Sequence, residues 1–410
     1  MKILTLNCGS SSIKFDVIET DLELIQQGAD YSIVRGLVEK IGLPGSQIRY
    51  TYNGESYKDV VEILDHTEAL KKIIDVLTGD SPHILESLEE IAGVGHRLVH
   101  GAEVFSKSIL IDEEVEKQVD ECSEFAPLHN PQNLKGVRIA KEFFPNVAHV
   151  GVFDTGFHHS MPPYAYIYPL PYYFYRKYKI RRYGFHGTSH RFVSFRVGQL
   201  IGIPREKLKI ITVHLGNGCS ICAIDHGKSV DTSMGITPLE GLMMGTRTGD
   251  LDPAVILHIM AKEDLSLHQA DTMMNKHSGL YGVSGISNDL REIIEVMDNE
   301  TEGVNRARLA FDMFCYRVKK YISAYMGVLG GADVVVFTGG IGENAWQVRE
   351  VATHGLDFMG IRIDPVQNRE ILGREGDITA EGATVRTFVV PTNEELVIAR
   401  DTVRCMEGVL

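Results

Sequence analysis

The segment Ile3–Phe15 contains residues that could bind a phosphate. It reads Ile-Leu-Thr-Leu-Asn-Cys-Gly-Ser-Ser-Ser-Ile-Lys-Phe, two apolar stretches joined by a turn rich in glycine and serine. Glycine lets the backbone approach an anion closely, and free N–H groups and hydroxyls can surround phosphate oxygens. The polar side chains of this turn are Asn7, Ser10, Ser12 and Lys14. The pattern predicts a strand, a phosphate-binding turn and a second strand.

Two further glycine-rich turns follow apolar stretches later in the chain. Lys209–Ala223 repeats the strand, turn and strand arrangement, with its turn at His214–Gly218. Two hairpins of this kind indicate two related halves that hold one nucleotide. In Asp333–Asn344, a β-type run ends in Gly-Gly-Ile-Gly, where bare backbone could lie against a base or ribose. The alternative for this third element is a plain tight turn between a strand and a helix.

Two arginines lie in loops flanked by glycine, Arg97 within Gly95–Gly101 and Arg247 within Gly245–Asp250. Ordering a long side chain in such a loop costs conformational entropy, so an arginine there usually has a fixed partner. The planar guanidinium matches a carboxylate or a phosphate with two parallel hydrogen bonds. We therefore expect both arginines to bind an anionic substrate, the alternative being solvated surface side chains.

Histidines are concentrated in the middle of the chain. His186, between phenylalanine and glycine, could donate a hydrogen bond to a phosphoryl oxygen. His186 and His190 could also lie one helical turn apart and bind zinc, although a third ligand is not evident. A zinc hydrolase therefore remains an alternative. We interpret His158, His159 and His190 as hydrogen-bonded core residues.

Composition limits the class of protein. A chain of 410 residues exceeds the usual size of one domain, so we expect two. The net charge of −14 argues against nucleic acid or an anionic membrane as the main partner. No apolar run reaches membrane-spanning length and no signal peptide is evident, so we expect a cytoplasmic protein. The pair Cys219-x-x-Cys222 could bind metal or act in redox chemistry, but we interpret it as reduced core thiols.

Hairpins and β–α units occur together, which predicts an α/β fold and not a plain doubly wound sheet. The predicted strands are 2–6, 13–18, 48–52, 92–99, 147–153, 210–215, 220–225, 333–338 and 385–390. The clearest predicted helices are 68–77, 113–121, 133–144, 191–200, 252–260 and 306–329. We interpret the segment rich in proline and tyrosine, 161–178, as a packed, irregular connection. The expected domains are 1–152 and 153–392, with a helix in 393–410 packing back on the first.

These segments together resemble the acetokinase (acetate kinase) family, part of the acetate and sugar kinase/heat-shock ATPase/actin superfamily. The resemblance runs from one end of the chain to the other, through 7–14, 96–101, 127–131, 153–155, 184–189, 214–218, 238–253, 339–344 and 392–395. It implies two duplicated domains of the actin-like/ribonuclease H-like type, with mixed sheets flanked by helices and the active site in the interdomain cleft. It also implies a homodimer.

The resemblance assigns roles residue by residue. The residues implied to be catalytic are Arg97, Asp154, His186 and Arg247. Those implied to surround the acyl group, together with Arg97, are Val99, Leu128, Phe185 and Pro238. Those implied to line the nucleotide site are Ser10, Ser12, Lys14, His214, Leu215, Gly216, Asn217, Gly218, Asp289, Leu290, Arg291, Gly339, Gly340, Ile341, Gly342, Glu343 and Asn344. Asn7 and Glu394 are implied to hold Mg²⁺ (or Mn²⁺), and Glu395 is the alternative to Glu394.

The implied reaction is reversible, Mg²⁺-dependent phosphoryl transfer from ATP to acetate, giving acetyl phosphate and ADP. A propionate or butyrate kinase of the same family is the main alternative, and an ATPase module of the superfamily is another. Acetate is ionised at pH 7, so the attacking group needs no general base. For that reason we favour Asp154 as a ligand of Mg²⁺ or of its water shell. A β-branched Val99 near the arginine leaves little room, which favours acetate.

Overall fold

The computed structural model describes residues 1–127 and 129–410, and the candidate acyl-site residue Leu128 lies outside the described residues. The chain divides into two compact units. Unit 1 comprises Met1–Phe157 and Asn393–Leu410, and unit 2 comprises His158–Thr392. The change from one unit to the other thus falls after residue 157, whereas the sequence suggested 152.

Unit 1 contains one sheet and five α-helices within the described residues. Its strands are β1 (Lys2–Cys8), β2 (Ser12–Glu19), β3 (Tyr31–Glu39), β4 (Gln47–Tyr52), β5 (Glu55–Val60), β6 (Ile91–Leu98), β7 (Ile109–Leu110) and β8 (Ala148–Phe153). Its helices are α1 (Leu22–Gln27), α2 (His66–Thr78), α3 (Glu113–Glu121), α4 (Asn130–Phe143) and, from the end of the chain, α16 (Glu394–Met406).

The sheet of unit 1 has the order β5-β4-β3-β2-β1-β6-β8-β7. Strand β6 lies between β1 and β8 and runs parallel to both. The carboxyl ends of parallel strands meet at one edge of a sheet, which is where open α/β sheets bind ligands. Asn7 in β1, Arg97 in β6 and Asp154 after β8 therefore lie at the same edge.

Helix α16 packs on this sheet through a close approach to β6. A Cβ atom on Gly95 would lie 2.5 Å from Cγ2 of Ile398 and 2.4 Å from Oγ1 of Thr402, so only glycine fits beneath the helix. Ala399 and Val403 of the helix join Ile3 of β1 in one buried apolar cluster. The end of the chain is thereby fixed on unit 1, with Glu394 at the start of the helix.

Unit 2 contains a second mixed sheet. Its strands are β9 (Lys209–Leu215), β10 (Cys219–Asp225), β11 (Lys228–Thr232), β12 (Val334–Thr338), β13 (Gly376–Asp377) and β14 (Arg386–Val389). Its helices are α5 (Pro163–Tyr166), α6 (Tyr172–Tyr178), α7 (Gly187–Ile201), α8 (Pro253–Glu263), α9 (Leu267–Lys276), α10 (Gly279–Ser284), α11 (Leu290–Asp298), α12 (Val304–Leu329), α13 (Gly339–Asn344), α14 (Trp346–Thr353) and α15 (Pro365–Glu370). Among the described residues, no helix combines the length and apolar character needed to cross a bilayer.

The two sheets share a core arrangement of five strands. In unit 2 the order is β11-β10-β9-β12-β14-β13, with β9, β12 and β14 parallel. Strands β11-β10-β9-β12-β14 correspond to β3-β2-β1-β6-β8 of unit 1: three antiparallel strands followed by two parallel additions. The hairpin turns at 8–12 and 215–219 occupy the same place in each sheet. The two related halves predicted from these hairpins are confirmed.

The predicted strands and helices are all present, most of them with shifted ends, but the interpretation of 161–178 was wrong. This segment forms α5 and α6, and most of its aromatic rings are exposed: Tyr164 retains 90% of its accessible surface and Tyr173 retains 56%. Several of these rings contact one another, and the Lys177 ammonium lies 4.8 Å from the Tyr178 ring centroid. Tyrosine tolerates such positions because its ring is amphipathic. His159, expected in the core, is also exposed.

All six cysteines are free, as expected for reduced thiols. Cys219 and Cys222 are both buried in β10, and burial raises the pKa of the Cys219 thiol to about 12. Across residues 1–127 and 129–410, no group of three or more histidine, cysteine or acidic side chains is arranged to hold a metal ion. The burial of both side chains confirms the interpretation of this pair as core thiols.

We expect the folded chain to lose stability when the pH falls below about 6.5, the pKa of free histidine. Burial lowers the pKa of His96 and His149 in unit 1, and it lowers the pKa of His158 in unit 2 to about 4. Below pH 6.5 the unfolded chain takes up these protons before the folded chain does. Each histidine then lowers the unfolding free energy by up to about 1.4 kcal/mol per pH unit, until the pH reaches its pKa in the folded chain. In unit 1, Asp16 partly offsets this loss of stability. Burial raises the pKa of Asp16 to about 7, so the folded chain takes up this proton before the unfolded chain does. Urea unfolding at pH 7.5 and 5.5 measures the effect, and equal unfolding free energies would contradict it.

Candidate active site

At the carboxyl edge of the unit 1 sheet, Arg97 and Asp154 form a two-point ion pair. Nε and Nη2 of Arg97 donate to the two carboxylate oxygens of Asp154 at 2.9 and 2.5 Å. Asp154 is 1% exposed, so this pair is nearly dry on the acidic side. Burial alone lowers the pKa of Arg97, but the charges of Asp154 and Glu394 outweigh it and raise that pKa. Arg97 is therefore always charged, and Asp154 fixes its orientation.

Oxygen donors surround this pair. Nη1 of Arg97 donates to Oδ1 of Asn7 at 3.2 Å, and a Glu394 oxygen lies 3.6 Å from Nε. The neighbouring Glu395 instead pairs with the Lys14 ammonium at 2.6 Å. Glu394 thus belongs to the group around Arg97 and Asp154, and Glu395 belongs to Lys14. In this structure the Lys14 ammonium, expected at the nucleotide phosphates, has this carboxylate as its partner.

A buried asparagine connects the ends of β1 and β6. The Oδ1 atom of Asn133 accepts from the Val99 N–H at 3.1 Å, and its Nδ2 donates to the Cys8 carbonyl at 2.8 Å. Cys8 directly follows Asn7, and Val99 lies two residues after Arg97, so Asn133 links the two strand ends that carry Asn7 and Arg97. The neighbouring segment 127–131 is part of the family resemblance, which implies no role for Asn133. Its only signal was its place on the apolar side of a predicted helix.

In unit 2, His186 caps the start of α7. Its backbone is left-handed, with φ +56°, which is uncommon for a residue with a side chain. The imidazole stacks on that of His214, with ring centroids 4.2 Å apart, and its Nδ1 lies 2.9 Å from Oγ of Ser220. The His214 ring is in turn held by the Ser189 hydroxyl at 2.8 Å.

Arg247 lies beside His186 and has no acidic partner among the described residues. Its Nη1 donates to the Pro238 carbonyl at 3.2 Å, and burial lowers the pKa of the guanidinium. A Cβ atom on Gly218 would lie 3.4 Å from that Nη1 and 3.5 Å from Nε2 of His186, so the two groups face the same point above the glycine. A partly buried cation without a carboxylate is a strong site for an anionic ligand.

The predicted nucleotide loops of unit 2 lie close together. A Cβ on Gly339 would lie 2.6 Å from the Leu215 carbonyl, and one on Gly245 would lie 2.0 Å from Oδ1 of Asn217. The Glu343 carboxylate accepts from the Gly339 N–H at 2.9 Å, so this side chain holds the loop 339–344 in shape. These contacts place His214–Gly218 and Gly339–Asn344 at the carboxyl ends of the paired strands β9 and β12.

A buried arginine that sequence reasoning missed supports the same loop. Arg349 is 0% exposed and donates five hydrogen bonds, four of them to main-chain carbonyls, including those of Gly342 and Glu343. This uses every N–H of the guanidinium. The sequence offered no signal, because an arginine in a helix is ordinarily solvated.

The remaining candidate residues of the nucleotide site differ in their exposure and in their contacts. Asp289 caps α11 and pairs with the exposed Arg291 at 2.6 Å, whereas Leu290 is buried and can present only its main chain. Ser10 is exposed in its turn, and the N–H of Gly9 donates across that turn to Ser12 at 2.8 Å. Gly340 and Asn344 are exposed, and Ile341 is half-buried.

The candidate acyl-site residues are divided between the units. Val99 in unit 1 is buried at the end of β6, and in unit 2 Phe185 is buried immediately before His186. Pro238 is half-buried and its carbonyl accepts from Arg247. Phe185 and Pro238 thus lie next to the His186 and Arg247 groups in unit 2.

The family model of the acetokinase family matches residues 2–400. The chain belongs to the acetokinase family. It is 51% identical to the acetate kinase of Halothermothrix orenii over all of both chains, and 50% identical to that of Chloroherpeton thalassium over 99% of each. Members of this family are kinases that transfer a phosphoryl group to a carboxylate, so the expected enzyme class is confirmed.

Solved structures of the acetokinase family have the same fold. The crystal structure of Porphyromonas gingivalis acetate kinase superposes with a TM-score of 0.92, at 47% identity over 99% of both chains. A propionate kinase from Francisella tularensis superposes with a TM-score of 0.90, at 38% identity over all of both chains. The predicted actin-like, two-domain α/β fold is thereby confirmed. One of these two structures is an acetate kinase and the other a propionate kinase, so this fold is common to kinases of both acids.

Proposed function

We propose that this chain catalyses reversible phosphoryl transfer between ATP and acetate, giving acetyl phosphate and ADP. Membership of the acetokinase family establishes a kinase with a carboxylate acceptor. The proposal for this chain rests on two arginine sites, each observed within its own unit. Arg97 is fixed among oxygen donors in unit 1, and Arg247 lies beside His186 in unit 2 without an acidic partner among the described residues.

The chemistry needs charge compensation and alignment, not proton removal. An acetate oxygen attacks the γ-phosphorus of ATP in line, and the bond from that phosphorus to the β–γ bridging oxygen breaks, leaving ADP. The attacking carboxylate is already ionised at pH 7, and so is the phosphate it approaches. We assign the carboxylate to the Arg97 N–H groups that Asp154 and Asn7 do not use. We assign the transferring phosphoryl group to Arg247 and to Nε2 of His186.

The nucleotide is assigned to the loops of unit 2. The assigned segments are His214–Gly218, Asp289–Arg291 and Gly339–Asn344, and the first and third contain five glycines whose bare backbone suits a ribose and a base. Ser10, Ser12 and Lys14 in unit 1 are assigned to the phosphates. For Lys14 this requires the ammonium to exchange its Glu395 partner for a phosphate oxygen.

The residues around Arg97 fit Mg²⁺. That ion is usually bound through one or two carboxylates together with substrate phosphates and water. Asn7 and Glu394 offer such oxygen atoms, and no larger acidic cluster exists in the described residues. We propose that these two hold Mg²⁺, with Mn²⁺ as a substitute, and that Asp154 contacts the ion or its water shell. Held there, Mg²⁺ would supply positive charge that offsets the negative charge of the phosphates.

Replacement of Asp154 by asparagine is expected to raise the Mg²⁺ concentration for half-maximal activity by at least about 10-fold, because second-shell changes weaken metal binding by 10–100-fold. The amide keeps the shape of the carboxyl group but loses its charge. Titration of activity with Mg²⁺ at saturating ATP and acetate measures this. Glu116→Gln, which alters a carboxylate paired with Lys141 elsewhere in unit 1, is the control. Lost turnover with an unchanged Mg²⁺ requirement would contradict the assignment.

We propose acetate as the preferred acceptor. Val99, two residues from Arg97, is β-branched and buried, which favours a short acyl group. One methylene group discriminates by only about 1–3 kcal/mol, so propionate remains a slower substrate.

The test of the proposed function is Mg²⁺-dependent ADP release from ATP with acetate, propionate, butyrate or no acceptor, with hydroxylamine present to trap an acyl phosphate. Acetate-dependent ADP release with a trapped acetyl product supports the proposal. Faster turnover with butyrate would move the chain to another acid kinase. ADP release without an acceptor would make it an ATPase and remove the substrate roles of both arginines.

We propose that the protein is a homodimer. Helix α8, Pro253–Glu263, is largely apolar yet buries none of its residues in this chain, and Leu257 is 70% exposed. Exposed apolar surface of this kind normally marks an association site. We expect light scattering to give the mass of a dimer, and Leu257→Asp to shift it toward the monomer. Leu64→Asp, at a similarly exposed leucine of unit 1, is the control. A monomeric wild-type protein would contradict the proposal.

We propose that the protein works in the cytoplasm. All six cysteines are free, and five of them are buried. Thiols persist in reducing compartments, whereas oxidising ones favour disulfides.

A further inference from the structure

His186 presents two different edges of its ring. Nδ1 faces Ser220 at 2.9 Å, and Nε2 faces the point above Gly218 that Arg247 also faces. A neutral imidazole carries one proton, so it donates from one of these nitrogens and accepts at the other. Which nitrogen carries the proton decides whether His186 donates to an anion or repels it. The following inference rests on the proposed role of His186 in phosphoryl transfer.

A chain of three buried polar groups ends at His186. Oγ of Ser220 lies 2.9 Å from Nδ1 of His186 and 2.7 Å from Nε2 of His190. The other nitrogen of His190, Nδ1, lies 2.7 Å from Oγ1 of Thr212. Ser220, His190 and Thr212 are each 0% exposed, so solvent cannot replace a missing partner.

The proton count along this chain allows two directions. A hydroxyl has a single hydrogen, so Ser220 donates to one imidazole and accepts from the other. In the first direction Thr212 donates to His190, His190 donates to Ser220, and Ser220 donates to Nδ1 of His186. The His186 proton is then on Nε2. In the second direction every bond is reversed and the His186 proton is on Nδ1.

The hydrogen bonding of Thr212, at the far end of this series from His186, selects the first direction. The Oγ1 atom of Thr212 has no hydrogen-bond partner other than Nδ1 of His190 in residues 1–127 and 129–410. If His190 donated to Thr212, the threonine hydrogen would be buried without an acceptor, which carries a penalty of about 1–3 kcal/mol. Burial also lowers the pKa of His190 well below its ordinary value, so it does not donate from both nitrogens.

We infer that Thr212, His190 and Ser220 are positioning residues that keep the proton of neutral His186 on Nε2, aimed at the transferring phosphoryl group. They touch no substrate and act through His186. Stacking on His214, whose own ring is held by Ser189, keeps the His186 ring in the orientation that this hydrogen bond requires. The sequence predicts only a core position for His190 and gives no signal for the hydroxyls of Thr212 and Ser220.

A double-mutant cycle tests this inference. Ser220→Ala is expected to lower kcat by more than about 10-fold, up to the 10²–10³-fold loss expected for removing an entire donor. It should leave the Michaelis constant for acetate unchanged. In a His186→Ala background, Ser220→Ala should cause almost no further loss, because the residues act as one unit. An equal fold-loss in both backgrounds would overturn the inference.

Thr212 offers a matched pair of variants. Thr212→Val keeps the shape and removes the hydroxyl, whereas Thr212→Ser keeps the hydroxyl and removes a methyl group. We expect the valine variant to lose more turnover than the serine variant. The reverse order would mean that packing, and not proton direction, matters at this position.

Nitrogen NMR gives a readout that does not depend on activity. In ¹⁵N-histidine-labelled protein at pH 8, the ring signals that disappear in His186→Ala belong to His186. We expect wild type to show the Nε2–H form and Ser220→Ala to lose that preference. A wild-type Nδ1–H form would overturn the inference even in an active kinase. An inactive wild type with the Nε2–H form would instead count against the proposed function alone.

Discussion

Arg247→Met is expected to lower kcat by about 10²–10³-fold, the usual effect of removing one preorganised donor to a transition state. In unit 2 this guanidinium lies beside His186 and has no carboxylate partner among the described residues, so its charge is available to a phosphoryl group. Arg247→Lys should recover only part of the loss, because a lysine ammonium cannot form the two parallel hydrogen bonds of a planar guanidinium.

Steady-state kinetics at saturating ATP and acetate measures the Arg247 effect. Arg308→Met, at an exposed position of α12, controls for loss of a positive charge in unit 2. Thermal unfolding of each variant shows whether losing the bond to the Pro238 carbonyl has disturbed the fold. A kcat within about threefold of wild type, in a folded Arg247→Met protein, would remove Arg247 from the mechanism.

Arg97→Lys is expected to raise the Michaelis constant for acetate by about 10- to 100-fold, with little change in that for ATP. Charge-assisted hydrogen bonds are worth about 1.5–3 kcal/mol, which corresponds to this range. Arg97 already donates hydrogen bonds from Nε and Nη2 to Asp154. A lysine cannot hold that carboxylate and an acyl carboxylate with fixed geometry at the same time.

Arg138→Lys is the matched control for Arg97→Lys, because Arg138 also pairs with a carboxylate in unit 1, that of Glu116, but on an exposed surface. It should leave both Michaelis constants unchanged. Equal increases for ATP and acetate in Arg97→Lys would show a general disturbance of the site and contradict a specific role in acyl binding.

The glycine-rich turns show what local sequence predicts well. An apolar stretch followed by glycine and serine has few alternatives to a strand and a tight turn, so 3–15 and 209–223 were predicted as hairpins. Strand β5, Glu55–Val60, was missed because its side chains are mostly exposed and show no apolar alternation. Exposed aromatic side chains made α6 resemble core, since apolar composition alone does not distinguish a core from an external surface.

Residue type and short-range spacing were enough to predict the two-hairpin α/β fold, the acetokinase resemblance and the arginines and histidines that could bind an anion. The partners of these groups became visible in the folded chain. Asp154 meets Arg97 across 57 positions, and Ser220 meets His186 across 34. Parallel strands bring residues far apart in the chain to one sheet edge, and local patterns do not encode that register. The role of Ser220 and Thr212 is visible only there, because a buried serine or threonine acquires a function from its neighbours.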